Sequence, residues 1–115
     1  MNKKPHLDDE ALSELRDVME DEFDVLIRTY LSDSGERIDI LRSALSSRDS
    51  QAFTHSAHSF KGSCINIGAP RLGALCSEAE IAGREERIDD AAHLLDDIQS
   101  EFLTVRQLLE QTLMR

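Results

Sequence analysis

The chain has 115 residues, enough for one compact domain and too few for two of ordinary size. Asp and Glu total 23 against 13 Lys and Arg, so the formal net charge is −10, which disfavours nucleic acid and membrane surfaces as partners. No apolar run approaches the ~18 residues that span a bilayer, and residues 1–6 lack the apolar core of a signal peptide. We therefore expect a cytoplasmic protein.

The first predicted helix covers about residues 9–19. Asp8 is a suitable N-cap, and Leu7 with Leu12 can form a hydrophobic staple across it. The boundary with the next helix, near residues 20–22, is poorly marked in the sequence. The whole chain, residues 1–115, is predicted to be a single domain. Its residues 1–6, before the first helix, are predicted to be a disordered tail.

The second and third predicted helices each carry one apolar stripe at steps of three and four residues. Gly35 interrupts the apolar stripe of the second helix. Residues 46–49 then supply a turn and the N-cap of the third helix. The third helix starts near Ser50 and can end at Gly68 in the left-handed conformation. The two stripes consist of Phe23, Ile27, Tyr30, Ser34, Ile38, Leu41 and Leu45, then of Phe53, Ala57, Phe60, Cys64 and Ile67.

Pro70 opens a fourth predicted helix, and a fifth starts near Ile88 after a short turn. Connections this short make neighbouring helices antiparallel. The predicted fold is therefore all-α: an antiparallel up-down four-helix bundle with an additional short N-terminal helix packed across one end. The two cysteines, Cys64 and Cys76, fall on apolar faces and are interpreted as buried hydrophobic residues.

The third helix has an unusual outer face. At about 100 degrees per residue, His58 points away from the apolar stripe, halfway along the helix. Gly62 lies one turn later, although glycine in a helix interior costs about 1 kcal/mol relative to alanine. Lys61, three residues from His58, can reach a group attached to the imidazole ring. The same face carries Gln51, Thr54, His55 and Ile65, which we predict to contact a partner.

This combination predicts phosphoryl transfer. A neutral imidazole nitrogen is a nucleophile that can attack an acyl phosphate, and the resulting N–P bond is labile enough to pass the group on. A lysine ammonium can neutralise phosphate oxygens, and a bare glycine lets a second protein approach closely.

Residues 57–69, AHSFKGSCINIGA, resemble the signature of histidine phosphotransfer (HPt) domains. That signature reads Ala-His, any residue, Leu, Lys-Gly, two small residues, a few further residues and then Gly-Ala; Phe60 here replaces the usual Leu. The resemblance implies that His58 is the phosphoacceptor, that Lys61 stabilises the phosphoryl group and that Gly62 clears the approach. It also implies that Glu80 accepts the Nδ1 hydrogen of His58 and leaves Nε2 to react; the alternative is that Glu80 is a solvated helix charge.

By the same resemblance, the chain is a phosphocarrier and not an enzyme, because it shows no ATP-binding region. Its expected partners are the receiver domains of hybrid sensor histidine kinases and of response regulators in a multistep phosphorelay. No cofactor is expected on the chain itself, and Mg²⁺ is expected on the partner receiver domain. We expect a monomer.

Three alternatives remain at this stage. A helical adaptor could bind receiver domains through the same face without phosphorylation. His55 and His58, three residues apart, could chelate zinc, although no third ligand is evident and no metal site is predicted. His55 could compete as phosphoacceptor, but Ser59 occupies the position where glycine would be needed. His6 and His93 are interpreted as plain surface residues.

Overall fold

The computed structural model describes residues 4–114. Within them the chain is helical, without strands, as predicted. The helices are α1 (Asp9–Met19), α2 (Phe23–Ser46), α3 (Ser50–Ile67), α4 (Pro70–Arg84) and α5 (Ile88–Leu113), and a single 3₁₀ turn (Glu20–Glu22) joins α1 to α2.

Helices α2 to α5 form the predicted antiparallel up-down bundle. Connections of only two or three residues separate them, so each helix must turn back along the one before it. α3 packs between α2 and α4, and α5 packs against both α4 and α2, which closes the bundle. The site described below depends most on the contact between α3 and α4.

The two ends of α3 follow from local chemistry. The Asp49 side chain accepts a hydrogen bond from the Ala52 N–H at 3.0 Å and so caps the first turn. Gly68 ends the helix with a φ of 86°, and the Ala69 N–H then donates to the Cys64 carbonyl at 2.8 Å. Pro70 starts α4 at once, so that α3 and α4 lie side by side with almost no connecting chain.

The core is built mainly from aliphatic side chains and also contains all four phenylalanines of the sequence. Both cysteines are fully buried and free. The Tyr30 hydroxyl and Cys64 Sγ are 3.3 Å apart, and a hydrogen bond to Cys64 together with burial raises the pKa of the Cys76 thiol. The Cys76 thiol therefore stays protonated, and both cysteines act as buried packing groups.

Helix α1 lies across the end of the bundle where α3 meets α4, in agreement with the prediction. The Asp8 N–H donates to the Gly68 carbonyl at 2.8 Å, and Leu12 is buried in the core. Arg16 reaches the Thr112 carbonyl near the end of α5 at 3.3 Å. α1 thus ties the first and last parts of the domain to the turn after α3.

The expected disordered tail does not extend over residues 4–6, whereas residues 1–3 lie outside the described part of the chain. His6 Nδ1 lies 2.7 Å from Oε2 of the buried Glu101, and Arg71 Nε donates to the Lys4 carbonyl at 2.6 Å. His6 is therefore half-buried and bonded. Its partner lies 95 residues away in sequence, so short-range patterns could not indicate the contact.

No helix within residues 4–114 is long and apolar enough to cross a membrane.

Two glycines give opposite expectations for stability. Gly68→Ala should lower the free energy of unfolding by about 1–2 kcal/mol, because an L side chain is strained at positive φ. Gly35→Ala should raise it by up to about 1 kcal/mol, because a Cβ there meets nothing within 4 Å in a helix interior. Urea denaturation of both variants measures the difference. A Gly68→Ala variant as stable as the wild type would contradict the assignment of this turn.

Candidate functional site

His58 stands on the outer face of α3, near the middle of the helix. Its side chain is 65% exposed, whereas the neighbouring Ala57 and Phe60 are completely buried on the opposite face. This arrangement follows from the helical period, which separates the apolar stripe of α3 from His58. The imidazole is therefore available to a second protein.

Glu80 approaches His58 from the adjacent helix α4. Its side chain is only 9% exposed, and Oε2 lies 3.1 Å from His58 Nδ1. A carboxylate can only accept a hydrogen bond, so Nδ1 must carry the hydrogen in this contact. That tautomer leaves the lone pair on Nε2, which has no hydrogen-bond partner among residues 4–114.

Two cationic side chains hold the same carboxylate. Lys61 Nζ donates to Glu80 Oε1 at 2.9 Å, and Arg84 NH2 donates to Oε2 at 2.7 Å. The hydrogen bond from Lys61, followed by that from His58, lowers the pKa of Glu80 although burial opposes the shift. Glu80 is therefore ionised at neutral pH and has a donor on both oxygens.

Arg84 is the member of this cluster that the sequence analysis missed. It lies four residues after Glu80 on α4, which is the spacing at which oppositely charged side chains meet on a helix. That spacing could have indicated the pair. The prediction for Glu80 rested on the resemblance alone and did not extend to its neighbours.

Gly62 and Ile65 continue the outer face of α3 beyond His58. A Cβ placed on Gly62 would meet nothing within 4 Å, so this position is open to an approaching molecule. The Ile65 side chain is 60% exposed. An open backbone position and an exposed apolar side chain thus lie on the same side of the helix as the imidazole.

The other three predicted contact residues lie beside His58 in an open groove between α3 and α4. The groove has a volume of about 810 Å³. Gln51 and His55 are exposed at its edge. Thr54 is half-buried instead, since its hydroxyl donates to the Ser50 carbonyl at 2.7 Å. Only part of the Thr54 side chain is therefore accessible from the groove.

The remaining histidine interpretations can be compared with the geometry. No group of three or more His, Cys, Asp or Glu side chains in the described part of the chain is arranged to hold a metal ion. His55 is exposed, and no carboxylate within residues 4–114 orients it. His93 is exposed on α5. Among these three histidines, His58 alone is held by a buried carboxylate.

The lowered pKa of Glu80 predicts a specific dependence of stability on pH. The unfolded chain binds the Glu80 proton more readily than the folded chain, so this carboxylate stabilises the fold above the pKa of an unfolded glutamate. That contribution is lost as the pH falls through its lower folded-state pKa. Between about pH 5 and about pH 3, wild type should lose more unfolding free energy than Glu80→Gln.

Urea denaturation across this range measures the effect. Glu78→Gln, at an exposed position two residues earlier on α4, is the matched control and should follow the wild-type curve. Parallel curves for wild type and Glu80→Gln would contradict the ionised, hydrogen-bonded state of Glu80.

Comparisons with known proteins identify the family. The family model for the Hpt domain matches residues 25–113. The structure is similar to the crystal structure of histidine-containing phosphotransfer protein B (HptB) from Pseudomonas aeruginosa PAO1, with 44% sequence identity, a TM-score of 0.92 and 96% of each chain covered. Curated protein sequences gave no match.

A second solved structure shares the fold. It is the X-ray structure of a rice protein named as a histidine-containing phosphotransfer protein. The two sequences are 17% identical, the TM-score is 0.87, and the match covers 95% of this chain and 82% of the rice chain. At this identity the likeness concerns the architecture alone. The match to the family model over most of the sequence, by contrast, shows that the chain belongs to the Hpt domain family.

Proposed function

We propose that His58 accepts a phosphoryl group from an aspartate of a hybrid sensor kinase's receiver domain and passes it to an aspartate of a response regulator's receiver domain. The observation that carries this proposal is the buried Glu80 carboxylate, which holds Nδ1 and leaves Nε2 free on an exposed ring. We place the protein in the cytoplasm as a monomeric phosphocarrier, without kinase activity of its own.

The transfer step follows from this geometry. The Nε2 lone pair attacks the phosphorus of the partner's acyl phosphate, and the bond between phosphorus and the aspartate oxygen breaks, which returns the aspartate to its carboxylate form. The ring becomes positively charged as the N–P bond forms. The negatively charged Glu80 carboxylate, which accepts a hydrogen bond from Nδ1–H, compensates this positive charge. It thereby stabilises the transition state.

Lys61 and Arg84, the two cations on Glu80, have separate roles in the proposal. Lys61, whose side chain is 27% exposed, can turn from Glu80 towards the phosphoryl oxygens without leaving the site. Arg84 then remains paired with Glu80, so that the buried carboxylate is not left without a counter-charge. Mg²⁺, which the transfer needs to neutralise the acyl phosphate, would be supplied by the receiver domain.

The partner would dock over the outer face of α3. The open backbone at Gly62 and the exposed Ile65 lie on one side of His58. Gln51, His55 and the accessible part of Thr54 lie on the other side, along the groove. Together they surround the reactive nitrogen with a surface that a receiver domain can cover.

The direct test is transfer from an acyl-phosphorylated receiver domain. Wild type should acquire acid-labile phosphate, His58→Ala should acquire none, and His55→Ala should still be labelled at His58. His93→Ala, which changes an exposed histidine on α5, is the matched control and should accept phosphate at the wild-type rate. Equal labelling of His58→Ala, or no labelling of wild type, would refute the proposal; the second result would favour an adaptor without phosphorylation.

The role of Gly62 can be tested separately from the chemistry. Gly62→Gln places a side chain in open space, so helicity and thermal stability should be retained or improved. Affinity for the receiver domain should nevertheless fall by about tenfold or more, because the side chain occupies the path of the partner.

Titration calorimetry of the unphosphorylated proteins measures this affinity. Gly35→Gln makes the same change in open space on α2 and should bind as wild type does. Unchanged affinity of Gly62→Gln would show that the partner does not approach over this position.

A further inference from the structure

Gly83 lies at a close contact between α3 and α4. It is buried in the last turn of α4, and a Cβ added to it would lie 2.5 Å from Thr54 Oγ1 and 2.9 Å from Phe53 Cδ1. Neither neighbour moves freely, because Phe53 is 2% exposed and the Thr54 hydroxyl donates to the Ser50 carbonyl at 2.7 Å. Any side chain at this position would therefore push the helices apart.

The backbone itself gives no other reason for glycine here. Within residues 4–114, Gly68 is the only glycine with a positive φ, so Gly83 has an ordinary helical conformation that any residue can adopt. Glycine is also disfavoured in helices relative to all residues except proline. The close approach of α3 is what requires a residue without a side chain.

The position of Gly83 connects this contact to the site. α3 and α4 run antiparallel, and their facing pairs follow one register: Thr54 faces Gly83, and one helical turn further on His58 faces Glu80. Thr54 precedes His58 by four residues and Gly83 follows Glu80 by three, a separation of roughly 4.5–6 Å along each helix. The spacing of the two helices at Gly83 therefore sets the distance that Glu80 must span.

We propose that Gly83 is a positioning residue for phosphotransfer: it lets α4 lie close enough to α3 for the Glu80 carboxylate to reach Nδ1 of His58. This inference rests on the proposed function of His58. Gly83 contacts neither the ring nor the phosphoryl group and acts only through Glu80. A small increase in helix separation would lengthen the 3.1 Å contact between Glu80 and His58 and release the ring from its fixed tautomer.

A double-mutant cycle tests this dependence on Glu80. Gly83→Ala should slow phosphotransfer from a receiver domain by about tenfold or more, towards but not beyond the rate of Glu80→Ala. In the Glu80→Ala background, Gly83→Ala should cause no further slowing, because the contact that it perturbs is already absent. Multiplicative slowing in the double variant would overturn the proposal.

The second readout does not need phosphotransfer. In ¹⁵N NMR spectra of the unphosphorylated protein, Gly83→Ala should move the His58 ring-nitrogen signals in the same direction as Glu80→Ala. Gly73→Ala is the matched control on the same side of α4; its Cβ would lie 3.3 Å from Ile65 Cγ1, 3.7 Å from Cys64 Cβ and 3.9 Å from the Lys61 carbonyl oxygen, so it needs a much smaller adjustment than a Cβ at Gly83. The His58 signals of Gly73→Ala should match those of wild type.

A folded Gly83→Ala protein with wild-type His58 signals and wild-type transfer would refute the role of Gly83. If Gly83→Ala does not fold, the double variant Gly83→Ala/Thr54→Ala removes the nearest clashing atom and is compared with Thr54→Ala alone. Displaced His58 signals in the double variant would support the proposal, and identical signals would overturn it. Absence of transfer in wild type would refute the proposed function, whereas the NMR comparison would still decide whether Gly83 positions Glu80.

Discussion

A buried carboxylate between two helices is the interaction on which the site depends. The Glu80 side chain is 9% exposed, and an ionised carboxylate at that depth is stable only when its oxygens are hydrogen-bonded and its charge is balanced. His58, Lys61 and Arg84 meet both needs. The same contacts that stabilise Glu80 thereby fix the tautomer of His58 and keep two cations on the carboxylate that holds the ring.

The rest of the fold provides this contact by holding α3 and α4 in a fixed register. Only two residues separate the end of α3 from the start of α4, and Gly68 and Pro70 make this sharp reversal possible. The short connection leaves the two helices little freedom to slide past each other. Gly83 permits close approach near the other end of α4. Between these two points Glu80 and His58 face each other, and the apolar stripe of α3 anchors the ring-bearing helix in the core.

The sequence predicted the helices well because helix periodicity, caps and breakers are local signals. The stripe of α3, the N-cap Asp49 and the left-handed Gly68 all lie within a few residues of the features that they determine. The exposed position of His58 followed from the same periodicity. The contacts that the sequence did not indicate are those between distant segments, such as the pair formed by His6 and Glu101, which are 95 residues apart.

The roles of Arg84 and Gly83 are only partly indicated by local signals in the sequence. Arg84 has a local signal, its spacing of four residues from Glu80, but that signal has meaning only once Glu80 is known to be buried. Gly83 is buried in α4, and its closeness to Thr54 depends on how two helices pack. Binary patterns of apolar and polar residues indicate which face is inside and do not give the distance between helices.

Glu80 holds Nδ1 of His58, which leaves Nε2 as the proposed nucleophile. Identification of the phosphorylated nitrogen by NMR of ¹⁵N-labelled, phosphorylated protein tests it most directly, because coupling to ³¹P distinguishes the two ring positions. Glu80 as described here predicts phosphate on Nε2 of His58. Phosphate on Nδ1, or on a residue other than His58, would contradict the account.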